Sequence, residues 1–190
     1  MQQAKQRLRA EALARRDAMG AEARIEASLA VADRCANLVA VEPGSIVSGF
    51  LPIRTEIDIW PLMMALADRG ARLCVPAIAE DCLQFRELLR GVPLEPQGFG
   101  TFAPGPDAAV LDPDVMLVPL AAFDRSGGRI GYGRGYYDAA IAKLREKGKA
   151  PQLIGVGFDV QEVEVVPTEP HDIPLHAIVT EREAIGCDGP

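Results

Sequence analysis

The stretch Phe123-Asp-Arg-Ser-Gly-Gly-Arg-Ile-Gly-Tyr-Gly-Arg-Gly-Tyr-Tyr-Asp138 limits the choice of fold more than any other part of this sequence. It follows Val115-Met-Leu-Val-Pro-Leu120, an apolar run short enough to be a buried strand. It leads into residues 135–147, which read as a helix. A glycine-rich turn that leaves a buried strand and opens a helix belongs at the carboxyl edge of an open α/β sheet, where such folds bind ligands.

The rest of the chain predicts the sheet and its helices. Residues 2–19 and 21–40 have helix-forming composition and are separated by Gly20. Ser45–Phe50 reads as a strand, Asp58 to Arg69 as a helix with Pro61 in its first turn, and Arg72–Val75 as the next strand. Strand, helix and strand within about 30 residues make a βαβ unit, hence parallel neighbours. Leu83–Leu88, Leu153–Phe158 and Ile178–Thr180 predict further strands. Residues 91–114, rich in Pro and Gly, read as one long loop. The fold class expected is α/β, with a mainly parallel central sheet and flanking helices.

At 190 residues the chain is long enough for one self-sufficient core. Cys35, Cys74, Cys82 and Cys187 form no C-x-x-C pair and lie far from His171 and His176, so no structural zinc site is expected. The amino terminus lacks the apolar core of a secretory signal, and no apolar run is long enough to span a bilayer; a cytoplasmic protein with free thiols and no membrane partner is expected. The net charge of −7 argues against nucleic acid as a partner. Residues 125–149 are locally basic, with Arg125, Arg129, Arg134, Lys143, Arg145, Lys147 and Lys149 against Asp138 and Glu146. A basic, glycine-rich island in an acidic chain suits a small anionic ligand.

The chemistry of the loop agrees. Glycines let backbone N–H groups converge on an anion, and the helix start adds unpaired donors. Arg129 and Arg134 add charge in a fork that matches phosphate oxygens. No G-K-[ST] closes the loop, and its Gly131-x-Gly133-x-Gly135 spacing is not the dinucleotide G-x-G-x-x-G. All three tyrosines of the chain, Tyr132, Tyr136 and Tyr137, lie here and could stack on a heterocycle. Asp138, in the first turn of the helix, could hold Mg²⁺ against phosphate oxygens. A flexible surface turn is the plainer alternative. Lys5, Arg9 and Arg16 share one face of the first helix, either as a solvated face or as cations reaching a phosphate at the loop.

These pieces together resemble the 5-formyltetrahydrofolate cyclo-ligase family. The resemblance is carried by Phe123-Asp124, Gly128-Arg129 and Gly131-Tyr-Gly-Arg-Gly-Tyr-Tyr-Asp138. It extends to Lys5-Gln-Arg-Leu-Arg9, Phe50-Leu-Pro with Glu56-Ile-Asp58, Val75-Pro76, and His171-Asp-Ile-Pro174 with Val179-Thr-Glu181. It implies a single domain over residues 1–190, a three-layer α/β sandwich, and ATP and Mg²⁺ as cofactors. Lys5, Arg9, Arg129, Ile130, Gly131, Tyr132, Gly133, Arg134, Gly135, Tyr136 and Tyr137 would bind ATP, with Lys5 and Arg134 the catalytic side chains. Leu51, Glu56 and the Tyr132–Tyr136 segment (Tyr132, Gly133, Arg134, Gly135, Tyr136) would bind the folate, and Asp138 and Asp172 the Mg²⁺. The implied reaction closes 5-formyltetrahydrofolate to 5,10-methenyltetrahydrofolate in a monomeric enzyme. Ala103 before Pro104, where the family often has Glu, and His176 after Pro174, where it often has Asp, depart from the pattern. A non-catalytic nucleotide or folate binder, or a related α/β enzyme acting on a phosphorylated substrate, are the competing readings.

Overall fold

A computed structural model describes residues 1–80 and 82–187. Two helices come first, α1 (Gln2–Asp17) and α2 (Ala21–Leu38). β1 (Ile46–Ser48), α3 (Trp60–Asp68) and β2 (Arg72–Ala79) form the expected βαβ unit, with Val47 opposite Leu73 in a parallel register. β3 (Cys82–Glu87) returns antiparallel beside β2. β4 (Leu94–Gly98) and β5 (Thr101–Pro104) make a separate hairpin. Then come β6 (Val115–Pro119), the two-residue strands β7 (Ala122–Phe123) and β8 (Arg129–Ile130), and α4 (Tyr136–Glu146). β9 (Gln152–Val156), β10 (Ala177–Val179) and β11 (Ala184–Gly186) follow.

The main sheet has seven strands in the order β11-β10-β9-β6-β1-β2-β3. The four inner pairings are parallel and only the edge strands β3 and β11 run antiparallel. Alternation along the strands gives the sheet two apolar faces. Val115 and Leu117 of β6 pack with α2 and α3, through Val31, Cys35, Leu62 and Leu66. Met116 and Val118 point the other way, toward Ala140, Ile141 and Leu144 of α4. Helices on both faces make the expected α/β layering. Trp60, at the start of α3, is exposed, whereas Met63 of the same helix is buried.

Strand order reverses between β1 and β6: the chain winds outward from β1 to β2 and, on the other side, from β6 to β9 and β10. Such a switch point leaves a crevice at the carboxyl ends of its two strands. Leu51 after β1, and Val118 and Pro119 at the end of β6, line that crevice.

Two regions differ from the sequence expectation. Residues 91–114 are not one loop, because the β4–β5 hairpin turns at Gly98-Phe99-Gly100. The glycine-rich stretch is likewise divided by the β7–β8 hairpin, whose turn is built on Asp124. Gly127 and Gly128 are buried under that turn. Gly127 has φ +93°, and a Cβ there would stand 2.7 Å from the Leu175 carbonyl oxygen. Only Gly131, Gly133 and Gly135 are exposed, where the chain opens into α4. The hairpin also seats α1: Ala12, fully buried, packs with Ala122, Ile130 and Val166. A small residue at this position allows the helix close approach and brings its basic face beside the loop.

Candidate functional site

A cleft of about 890 Å³ lies over the switch point, a size suited to small-molecule ligands. Its lining includes all the predicted site residues: Lys5, Arg9, Leu51, Glu56, Arg129 through Asp138, and Asp172. Four segments supply these residues: α1, the turn after β1, the stretch from β8 into α4, and residues 169–172.

The loop is held by α1. Arg9 Nε donates to the Gly131 carbonyl oxygen at 2.6 Å. Its guanidinium lies against Gly133, where a Cβ would meet Arg9 Nη2 at 3.2 Å; the φ of +92° there also favours glycine. Gly135, at φ +66°, caps α4 without a side-chain bond, so the first N–H groups of the helix remain available to an anion. Arg134 is exposed, in no ion pair among the described residues, and stacks 4.4 Å from the ring centre of Phe99. Arg129 is different. Its side chain is only 7% exposed; Nη2 bonds Asp138 Oδ1 at 2.7 Å and Nη1 bonds the Ile173 carbonyl. The Ile173 N–H donates to the same Oδ1 at 3.0 Å, which ties the 172–174 segment to α4.

Lys5 Nζ lies 2.5 Å from Asp172 Oδ2 and 3.2 Å from Glu169 Oε2. Burial alone would raise the Asp172 carboxyl, but hydrogen bonds from Lys5 and the Glu169 N–H outweigh it and hold the group below its ordinary 3.8. Lys5 is correspondingly raised above 10.5: burial lowers it, and the bonds to Asp172 and Glu169 outweigh that. The pair therefore stabilises the fold between these limits, and Asp172's share is lost as pH falls through its depressed value. The Tm deficit of Lys5→Met is expected to be largest near neutrality and to shrink below pH 3.8; a deficit independent of pH would contradict the pairing.

Asp138 and Asp172 offer carboxylate oxygens, the donor type that Mg²⁺ prefers. Both bonds to Asp138 fall on Oδ1. Among the described residues, one group has ligand atoms within 4.8 Å of one another: Glu169, His171 and Asp172. Asp138 is not in that group. Glu169 is an acid that the sequence reading passed over, although it stands three residues before Asp172.

Phe99, Thr101 and Phe102 also line the cleft, from the β4–β5 hairpin. They were missed because the segment read as loop; a glycine-flanked Phe between two short runs is the signal that could have found the hairpin. Of the two departures, His176 Nδ1 accepts the Leu153 N–H at 2.9 Å, an acceptor role that a carboxylate would also fill. Ala103 is fully buried. Beside it in the chain, the Pro104 carbonyl accepts from Arg86 Nη1 at 2.9 Å. Arg86 Nε is the only buried side-chain nitrogen or oxygen without a partner among the described residues.

A mostly parallel sheet with helices on both faces and a glycine-rich loop at its switch point defines an α/β protein whose cleft is placed where such folds bind small ligands. The profile of the 5-formyltetrahydrofolate cyclo-ligase family matches residues 1–181, and the chain belongs to that family. It is 31% identical over 173 residues to the 5-formyltetrahydrofolate cyclo-ligase of Escherichia coli K12, covering 87% of this chain and 94% of the relative. It is 30% identical over 159 residues to that of Mycolicibacterium smegmatis, covering 75% and 76%. The solved structure of Aquifex aeolicus 5,10-methenyltetrahydrofolate synthetase superposes with a TM-score of 0.78 at 26% identity, covering 98% of this chain and 94% of the other. Among the described residues no helix is long and apolar enough to cross a membrane.

Proposed function

We propose that this protein closes 5-formyltetrahydrofolate to 5,10-methenyltetrahydrofolate at the expense of ATP, releasing ADP and phosphate. The observation that carries the reading is the convergence of Lys5 and Arg9 from α1, Arg134 from the loop and the open start of α4 on one cleft, opposite Leu51 and Glu56. The formyl oxygen is a poor leaving group. Its attack on the γ-phosphorus of ATP forms the O–P bond and expels ADP. N10 then adds to the formyl carbon, the C–O bond breaks, and phosphate departs with the oxygen. The N10 proton is lost and the conjugated methenyl cation remains.

Each residue has a task in this scheme. Gly131, Gly133, Gly135 and Ile130 present backbone to the triphosphate, and Lys5, Arg9, Arg129 and Arg134 provide the positive field around it. Arg134 is the cation best placed to follow the transferred phosphoryl group, since no carboxylate among the described residues holds it. Tyr132, Tyr136 and Tyr137 flank the heterocycles. Leu51 packs on the pterin, and Glu56 accepts its N–H groups. Asp138 and Asp172 would hold Mg²⁺, which when bound neutralises triphosphate charge. Such phosphoryl transfer needs no protein nucleophile; alignment and charge suffice.

The test is turnover. Purified protein with 5-formyltetrahydrofolate should develop the near-ultraviolet absorbance of methenyl-folate only when ATP and Mg²⁺ are both added. Silence at saturating ATP and Mg²⁺ would overturn the reading, and binding of both compounds without product would point to a non-catalytic relative.

A further inference from the structure

Arg16 is the largest fully buried side chain outside the apolar core, at 1% exposure, and the reaction scheme above gives it no task. A buried guanidinium is costly unless its donors are taken up. Its nearest carboxylate is weakly placed, with Asp17 Oδ1 at 3.9 Å from Nε. Instead Nε donates to Thr55 Oγ1 at 3.0 Å, and Nη1 donates to the Tyr132 hydroxyl oxygen at 3.1 Å. The Thr55 hydroxyl in turn donates to Asp17. One side chain of α1 thus joins the turn after β1 to the glycine loop, and both of these segments line the cleft.

The direction of these bonds matters. A guanidinium can only donate, so the Tyr132 oxygen is the acceptor and its proton is free to be given elsewhere. Glu56, next to Thr55 in the chain and lining the same cleft as Tyr132, carries the carboxylate that interacts with this hydroxyl. Glu56 Oε2 also takes the Ile53 N–H at 2.9 Å. We propose that Arg16 is a positioning residue that, through the Tyr132 hydroxyl and together with the Ile53 N–H, fixes the Glu56 carboxylate as an oriented acceptor for the N–H edge of the pterin. This rests on the cyclo-ligase reading and adds to it a residue that sets substrate recognition without touching substrate.

The surroundings of Glu56 give the proposal a measurable signature. Burial pushes its carboxyl above the ordinary range; the Ile53 N–H, the Tyr132 hydroxyl, Arg16 and Arg54 oppose that rise. Tyr137, from α4, also feels the Glu56 charge; its phenol is pushed up by burial first and by Glu56 second. Tyr132 is pushed up to about 12 by burial and then by Glu56, so it remains a proton donor throughout the working range. Removing the Arg16 charge or the Tyr132 hydroxyl leaves burial less opposed. The Glu56 carboxyl then moves further up, and its acceptor form is lost at a higher pH.

The experiment is equilibrium titration of 5-formyltetrahydrofolate, without ATP, from pH 5.5 to 8.5, alongside steady-state kinetics. Tyr132→Phe is expected to weaken folate binding about tenfold at pH 6 and less at pH 8, moving the acid limb to higher pH. Arg16→Gln should move the limb the same way, and the double variant should be no worse than the worse single one, because both act along one path. Should Arg16→Gln fail to fold, Tyr132→Phe decides alone. A loss equal at all pH values, or a lowered Tm with an unmoved profile, would overturn the proposal while leaving the cyclo-ligase reading intact. Wild-type protein that binds no folate at any pH would overturn both.

Discussion

Replacing Arg134 with alanine is expected to lower kcat/KM for ATP by about 100- to 1,000-fold while leaving Tm unchanged, the loss typical of removing one donor aimed at developing charge. The side chain is exposed, and its one described contact, the Phe99 ring, lies on a separate hairpin. Its truncation should therefore cost the fold little. Arg134→Lys should recover part of the loss, since it keeps the charge but not the planar fork. The contrast with Arg129 is instructive. Arg129 is buried and bonded to Asp138 and Ile173, so its removal should lower Tm and activity together. Full activity of Arg134→Ala, measured beside wild type under saturating folate, would remove Arg134 from the reaction.

The second large effect concerns stability. Asp124 is buried, yet it is a hub: Oδ1 accepts from the Ser126 N–H (3.0 Å), the Ser126 hydroxyl (2.7 Å) and the Gly128 N–H (3.0 Å). Oδ2 accepts from the Val166 N–H at 2.7 Å. Asp124→Ala strands the buried N–H groups of Gly128 and Val166, at about 1–3 kcal/mol each, so a loss of about 4 kcal/mol is expected. At this chain length that is roughly 10 °C in Tm. Asp124→Asn should also be destabilising, because one oxygen becomes a donor facing another donor. Thermal unfolding of both variants checks this; an unchanged Tm in Asp124→Ala would contradict the account of how the loop is built.

That hub explains why the glycine loop was only half legible in the sequence. Its composition pointed to an anion site opening α4, and Gly131, Gly133 and Gly135 do face the cleft. The composition did not separate Gly127 and Gly128, which serve the turn under Asp124 and lie beneath the site. Two-residue strands such as β7 and β8 carry no periodicity to read. The parallel core was legible because Ile46–Ser48 and Arg72–Ala79 stand at βαβ spacing and Val115–Pro119 is a short apolar run. The β4–β5 hairpin was not: it contains Pro96 and ends at Pro104, and proline demotes a strand in any local reading. Lys5 and Arg9 could be placed on one helix face from spacing alone. Which way that face turned depended on Ala12 packing against the hairpin, a tertiary contact.

The central claim, that the bend from Gly131 to Asp138 and the α1 cations grip a triphosphate beside the pterin, is tested most directly by a crystal structure with 5-formyltetrahydrofolate and a non-hydrolysable ATP analogue. The account predicts phosphate oxygens against Gly131–Gly135, Lys5, Arg9 and Arg134, with the pterin edge on Glu56. Both ligands bound elsewhere, with that bend open to solvent, would contradict it.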